Sequence, residues 1–184
     1  MATAGPNTGA TATDAAGIGT VAWTNPTNAQ VSDNVYATCV LSAQASHWLK
    51  VTNFGFSIPA NATINGITQE WEVKTNVISG FVSLADAVKG GTIVNVATGW
   101  LSFQSDTSES FDVAGGVTEL WGTTWTPTDI NSSTFGAAYA SNGSRTDTFS
   151  VDSCRITVTY STGIGVLTQG KLVRGTLVNR GIVR

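Results

Sequence analysis

From Trp48 to Ile58 the chain alternates along its length. Trp48, Lys50, Thr52, Phe54, Phe56 and Ile58 fall on one side of an extended strand, with Leu49, Val51, Asn53, Gly55 and Ser57 on the other. Successive side chains of a strand point to opposite faces, so this register gathers the large aromatic rings together. After Pro59 and a short polar connection, a second run sets Ile67, Gln69, Trp71 and Val73 against Thr68, Glu70, Glu72 and Lys74. That pattern predicts an antiparallel strand that packs its Trp71 face on a core and wets its Glu70, Glu72 and Lys74 face.

The same period recurs elsewhere. In Val35 to Ser42, Tyr36, Thr38 and Val40 oppose Ala37, Cys39 and Leu41; in Thr148 to Tyr160, Cys154, Ile156, Val158 and Tyr160 oppose Ser153, Arg155, Thr157 and Thr159. Residues 77 to 103 hold two more strand-like runs parted by Lys89-Gly90-Gly91, a hairpin signal. Thr128-Asp129-Ile130-Asn131 reads as a capped single turn before Phe135, and no longer helix is expected. About eight to ten short strands with turn residues between them predict an all-β fold, an antiparallel two-sheet sandwich of jelly-roll type. Its expected core is Trp48, Phe54, Phe56, Ile67, Trp71, Ile156, Val158 and Tyr160. Residues 1–18, rich in Ala, Thr and Gly without a period, read as a flexible N-terminal arm. The sandwich then spans 19–162, and 163–184 form a C-terminal arm.

Composition adds the character of the surface. Only 11% of the 184 residues are charged, against about 25% in an ordinary soluble domain, while Thr, Ser, Asn, Gly and Ala are abundant. Such a neutral, hydroxyl-rich surface suits extracellular modules and shells whose subunits lie side by side. A hydrophobic content of 41% and six Trp exclude a disordered chain. No run approaches the ~18 apolar residues of a membrane span, and the N-terminus lacks the basic start and apolar centre of a signal peptide. The expectation is synthesis in the cytoplasm, with no membrane partner.

The last stretch changes character. Lys171, Arg174, Arg180 and Arg184 are four of the nine basic residues, and no acid follows Asp152. Five basic residues against twelve acidic ones remain upstream, so the body carries −7 and the tail +4. Gly163, Gly165, Gly170, Gly175 and Gly181 exclude a helix. Between them lie the apolar pairs Leu172-Val173, Leu177-Val178 and Ile182-Val183. A dangling basic tail and a last strand on its own domain are two readings of this pattern. The third is an extended arm that adds to a neighbour's sheet edge or groove. It would bury Leu172, Val173, Leu177, Val178, Ile182 and Val183 and set Lys171, Arg174, Arg180 and Arg184 against acidic surface. Four cations without interleaved aromatics, on a net acidic chain, make a poor nucleic-acid footprint.

Reactive chemistry is sparse. His47 is the sole histidine and builds no catalytic or zinc motif by spacing, so neither catalytic residues nor a cofactor are expected. Asp106, Glu109 and Asp112 could offer oxygens to calcium but lack an EF-hand pattern, and a solvated loop is the plainer reading; no metal site is assigned. Cys39 and Cys154 sit in two strand-like runs as buried thiols or, alternatively, a disulfide, with free thiols favoured in a reducing compartment. Trp121, Trp125 and Tyr139 could form a platform for a sugar ring, although core packing claims most of the tryptophans.

The stretches AWTNPTNAQVSDNVYATCVL, TNFGFSIPANATINGI, ELWGTTWTPTDINSSTFGAAY and VDSCRITVTY together resemble a recurrent β-sandwich domain of phage and phage-derived structural proteins. The resemblance covers residues 19 to 160. It implies a virion component such as a capsid decoration protein, head fibre or tail-associated module. The expected partners are then the chain's own copies in a homo-oligomer and a major capsid or other virion protein. The alternative is a carbohydrate-binding or host-adhesion module.

Overall fold

The structure, a computed structural model, describes residues 1–77, 81–94 and 107–163. Its elements are β1 (Ala2–Thr8), β2 (Thr11–Ala15), β3 (Ala37–Leu41), β4 (Gln44–Ala45), β5 (Trp48–Thr52), β6 (Ala62–Thr75), β7 (Phe81–Lys89), β8 (Thr92–Ile93), β9 (Ser110–Gly115), α1 (Pro127–Asn131), β10 (Gly136–Gly143) and β11 (Asp147–Thr162). Sheet A runs β1-β11-β6-β9 with β3 also beside β11, and sheet B runs β2-β5-β10-β7-β8 with β4 also beside β10. Every ladder between these strands is antiparallel. The chain passes from one sheet to the other at most connections, so the protein is an all-β, antiparallel two-sheet sandwich.

The long partners β6 and β11 make the middle of sheet A, and their alternation follows the sequence pattern. Ile67, Gln69, Trp71 and Val73 point inward, as do Cys154, Ile156 and Val158, while Tyr160 packs at the core's margin. Gln69 looks out of place among these apolar neighbours until its partners are seen. Its Nε2 donates to the Asp86 carbonyl of sheet B at 2.9 Å, and its Oε1 accepts from Trp71 Nε1 at 3.1 Å. A fully buried amide is tolerable only when both ends are bonded, and this one ties the two layers together. Tyr139 of β10 lies against Trp71 at 5.0 Å between ring centroids and stacks on Phe149 at 5.8 Å.

The expected single strand from Trp48 to Ile58 is broken. β5 ends at Thr52, and Asn53 (φ 64) and Gly55 (φ 66) take left-handed conformations that turn the chain out of the ladder. Phe54, Phe56 and Ile58 still reach the core from this bend, where Phe54 and Phe56 meet Phe135. Within β5, however, Leu49 and Val51 face the other sheet, and Trp48 lies on the outer face of sheet B with Leu84, Val88, Ala138 and Ala140. Trp48 is therefore buried, but not between the sheets as its spacing suggests.

The N-terminal residues also depart from expectation. Instead of a flexible arm they supply an edge strand to each sheet, β1 along β11 from Ala2↔Tyr160 to Thr8↔Arg155, and β2 along β5 from Thr11↔Thr52 to Ala15↔Trp48. Alanine and threonine bury too little apolar area to leave a readable period, and backbone bonding holds the segment. The crossing between sheets runs through Gly9, where a Cβ would collide with the Val51 side chain. Residues Thr20 to Asn28 form no strand; they make single bridges, Val21↔Ser46 and Thr24↔Thr38, before a 3₁₀ turn at Pro26–Ala29. The short helix is α1, capped by Thr126 through a reciprocal bond with Asp129.

Cys39 and Cys154 are both free and buried. Cys39 pairs across to Phe149 and Cys154 lies five residues further along β11, a separation of about 16 Å by strand rise. That is far beyond the ~7 Å between Cα atoms that a disulfide spans. Burial pushes the Cys39 thiol up to about 12 and raises Cys154 as well. Thiol titration is therefore expected to find two free thiols in denaturant and almost none reacting in the native protein. A single oxidised pair under non-reducing conditions would contradict the register.

Candidate functional site

The outer face of sheet A is where the described surface gathers its chemistry. Two side-chain rows cross the sheet there, because Phe111 of β9 pairs with Glu72, and Glu72 with Ser153, while Val113 pairs with Glu70, and Glu70 with Arg155. Arg155 forms a bidentate pair with Glu70, both N–H···O contacts at 2.9 Å, and its guanidinium lies 3.9 Å over the Phe111 ring. The Ser153 hydroxyl donates to Glu72 at 2.7 Å, and Lys74 sits 3.7 Å over the Tyr36 ring. Phe111 (36% exposed) and Val113 (53%) leave an apolar strip beside these charges.

At one end of the face Glu72, Glu109 and Asp152 bring carboxylate oxygens within 4.8 Å of one another. Asp152 occupies a bulge in β11 between Val151 and Ser153, and its two oxygens accept from the backbone N–H groups of Asp33 and Asn34. Glu109 is held above the usual carboxylate range by burial and then by the charges of Asp152 and Glu72, which Lys74 and a bond to Tyr36 oppose. Its Oε1 is buried without a hydrogen-bond partner among the described residues. Three oxygens so placed suit a cation, either a hard metal ion or the head of a basic side chain. The sequence grouping of Asp106, Glu109 and Asp112 is corrected here. Strand alternation turns Asp112 inward to accept from Tyr139 at 2.6 Å, and Asp106 lies outside the described residues.

The proposed sugar platform does not exist as a surface. Trp121, Trp125 and Tyr139 are 7%, 8% and 0% exposed, all within the core. Trp121 Nε1 donates to the Ile67 carbonyl and Trp125 Nε1 to that of Leu120, while the Trp125 ring stands edge-on to Phe135. Trp23, Trp48 and Trp71 are buried as well. His47 is taken up by the fold: its Nδ1 is 2.9 Å from Asp14 Oδ2, Asp14 Oδ1 accepts from the Trp23 N–H, and Trp23 Nε1 donates to the His47 carbonyl. A shallow cleft of about 390 Å³ lies on the opposite side of the protein, on sheet B, among Ala15, Gly17, Trp48, Lys50, Thr92 and Ile93. Lys50 there donates to the Gly91 carbonyl at 3.3 Å.

The expected partner-binding residues Lys171, Leu172, Val173, Arg174, Leu177, Val178, Arg180, Ile182, Val183 and Arg184 lie outside the described residues. Sequence reasoning placed Glu70, Glu72 and Lys74 on a wet face correctly but missed Asp152, Phe111 and Val113. The available signal was Asp152 itself, an acid interrupting the alternation just before Cys154.

No family model matches the chain, and no curated protein does. Among solved structures it is similar to a family 11 carbohydrate-binding module from Clostridium thermocellum, solved in complex with a beta-1,3-1,4-mixed-linked tetrasaccharide. The TM-score is 0.37 and the identity 10%, over 84% of this chain and 90% of that one.

Proposed function

We propose that the protein is a non-catalytic module that works by binding, and that it is a structural subunit of a phage-like particle, decorating or cementing the capsid surface. In this reading residues 163–184 fasten it to its own copies or to a capsid protein, and the protein resides in the virion. The observation that carries the reading is the burial of the tryptophans. All five described tryptophans are at most 8% exposed, and the described surface is instead made of small polar residues, charges and exposed aliphatic side chains such as Val35, Val40 and Val113, a mixture suited to packing against other subunits. The −7 body and +4 tail add an electrostatic reason for one copy to hold the next. A chain ending at Thr162 is expected to melt like the full-length protein yet lose assembly into particles or oligomers, as read by sedimentation. Full assembly of that shortened chain would overturn the reading.

A second reading, a carbohydrate-binding or host-adhesion module, is favoured by one feature, the Phe111 ring on the outer face of sheet A beside Glu70, Glu72 and Arg155. Sugar rings stack on such a ring while neighbouring charges bond their hydroxyls. Glycan-array binding abolished by Phe111→Ala would establish it in place of the first.

A further inference from the structure

The Glu72, Glu109 and Asp152 cluster draws together more negative charge than its surroundings answer. Arg155 is held by Glu70 in a bidentate pair and its charge also reaches Glu72, while Lys74 faces Glu109, so among the described residues two cations already engaged elsewhere answer the three acids. Asp33, whose own N–H bonds Asp152, adds a further acid at the margin. Like charges this close repel strongly once partly withdrawn from water, and a further positive group relieves them. Beside the cluster lies the apolar strip of Phe111 and Val113 on β9, next to Glu70 and Glu72 on β6, so hydrocarbon and acid lie side by side on this face.

The chain itself contains a segment of matching chemistry. Written as an extended strand, residues 171–184 place Leu172, Arg174, Val178, Arg180, Ile182 and Arg184 on one side, because side chains of like parity share a face. Apolar and guanidinium groups, interrupted by Thr176, thus share one side of the arm, as apolar and carboxylate groups share the receptor face. We infer that the outer face of sheet A, centred on Glu72, Glu109, Asp152, Phe111 and Val113, is the dock for residues 163–184 of a second copy of this chain. Guanidinium groups take the carboxylate cluster, and the aliphatic side chains cover Phe111 and Val113. The arm departs beyond Thr162, ten residues past Asp152 on β11, about 33 Å away by strand rise. To reach the cluster of its own chain the arm would have to double back along the length of β11, which favours docking on a neighbour. This inference rests on the assembly role proposed above and names its receptor surface.

The test uses the full-length chain in two charge-reversed forms. One carries Lys171→Glu, Arg174→Glu, Arg180→Glu and Arg184→Glu; the other carries Glu72→Lys and Glu109→Lys. Each alone is expected to weaken self-assembly by about tenfold or more in dissociation constant, and mixing the two should restore it, because each then meets a complementary partner. Unchanged melting, together with a milder loss in Glu72→Gln and Glu109→Gln chains, shows that the fold is intact. If the shortened chain fails to assemble but the Glu72→Lys, Glu109→Lys chain assembles normally, the dock is elsewhere and the arm's role survives. If the shortened chain assembles normally, the assembly role falls as well. Loss in each variant without rescue on mixing places the arm on its own chain and overturns docking between copies. A calcium-dependent rise in melting temperature that Glu72→Gln removes, with assembly unaffected by arm reversal, makes the cluster a metal site and overturns the proposal.

Discussion

Trp71→Ala is expected to cost about 5 kcal/mol and to bring the domain near the edge of folding. The side chain is fully buried at the centre of the sandwich, against Tyr139. Truncating a buried aromatic to alanine removes about 3 to 5 kcal/mol through lost transfer energy and the cavity left behind. Gln69 Oε1 would also lose its donor, and a buried polar atom left unsatisfied costs about 1 to 3 kcal/mol more. Domains of this size hold on the order of 5 to 15 kcal/mol in total. Equilibrium urea denaturation measures the loss directly. A comparison with Trp71→Phe separates the terms, because phenylalanine keeps most of the ring and forfeits the N–H. A loss under about 1 kcal/mol for the alanine variant would mean that the inward register of β6 is wrong.

The second large effect is on pH dependence and comes from Asp112. Strand alternation turns its carboxyl into the sandwich, where burial pushes it up to about 6 from 3.8, despite the bond from the Tyr139 hydroxyl that pulls the other way. Because the folded protein holds this proton more tightly than the unfolded chain, the contribution to stability is complete below pH ~4. It is lost as pH rises through about 6. An upward move of about two pH units at about 1.36 kcal/mol each corresponds to about 3 kcal/mol lost by pH 7.5. Asp112→Asn keeps an acceptor for Tyr139 and removes the titration. The stability of the natural protein minus that of Asp112→Asn should therefore fall by about 2 to 3 kcal/mol between pH 4 and pH 7.5. Glu109, shifted upward, and Asp129, shifted downward by its bonds to Thr126 and Lys89 against an opposing burial effect, titrate in both proteins and cancel in that difference. A flat difference would place the Asp112 carboxyl in contact with water.

These two residues also mark how far the sequence could be read. Trp71 and Asp112 face each other across β6 and β9, and both point inward. The inward direction of Trp71 was legible because it sits in an eight-residue alternating run, Ile67 to Lys74. Asp112 was misread as a loop acid because its strand is only six residues long and carries Phe111 and Val113 on its outer side. Hydrophobic content alone would have turned β9 over. The bond from Tyr139 and the pairing to β6 decide its orientation, and both partners are remote in sequence.

What the chain determined by itself is whatever depends on local period and turn chemistry. The all-β class, the faces of β6 and β11, the hairpin at Gly90-Gly91 and the single capped turn before Phe135 all follow from neighbours within a few residues. The wet face of Glu70, Glu72 and Lys74 belongs with them. Tertiary structure alone decided what depends on partners far along the chain. Residues 2–15 became strands because β11 and β5 offer free edges to a segment too small in its side chains to show a period. Trp48 went to the outer face because Asn53 and Gly55 break its run and the ladder with β10 sets its register. The carboxylates of Glu72, Glu109 and Asp152 converge because a bulge in β11 displaces one acid toward two others that are 43 and 80 residues away. Alternation records which side of a strand meets water; which charges share that side is set by pairing between distant strands, and no local pattern carries it.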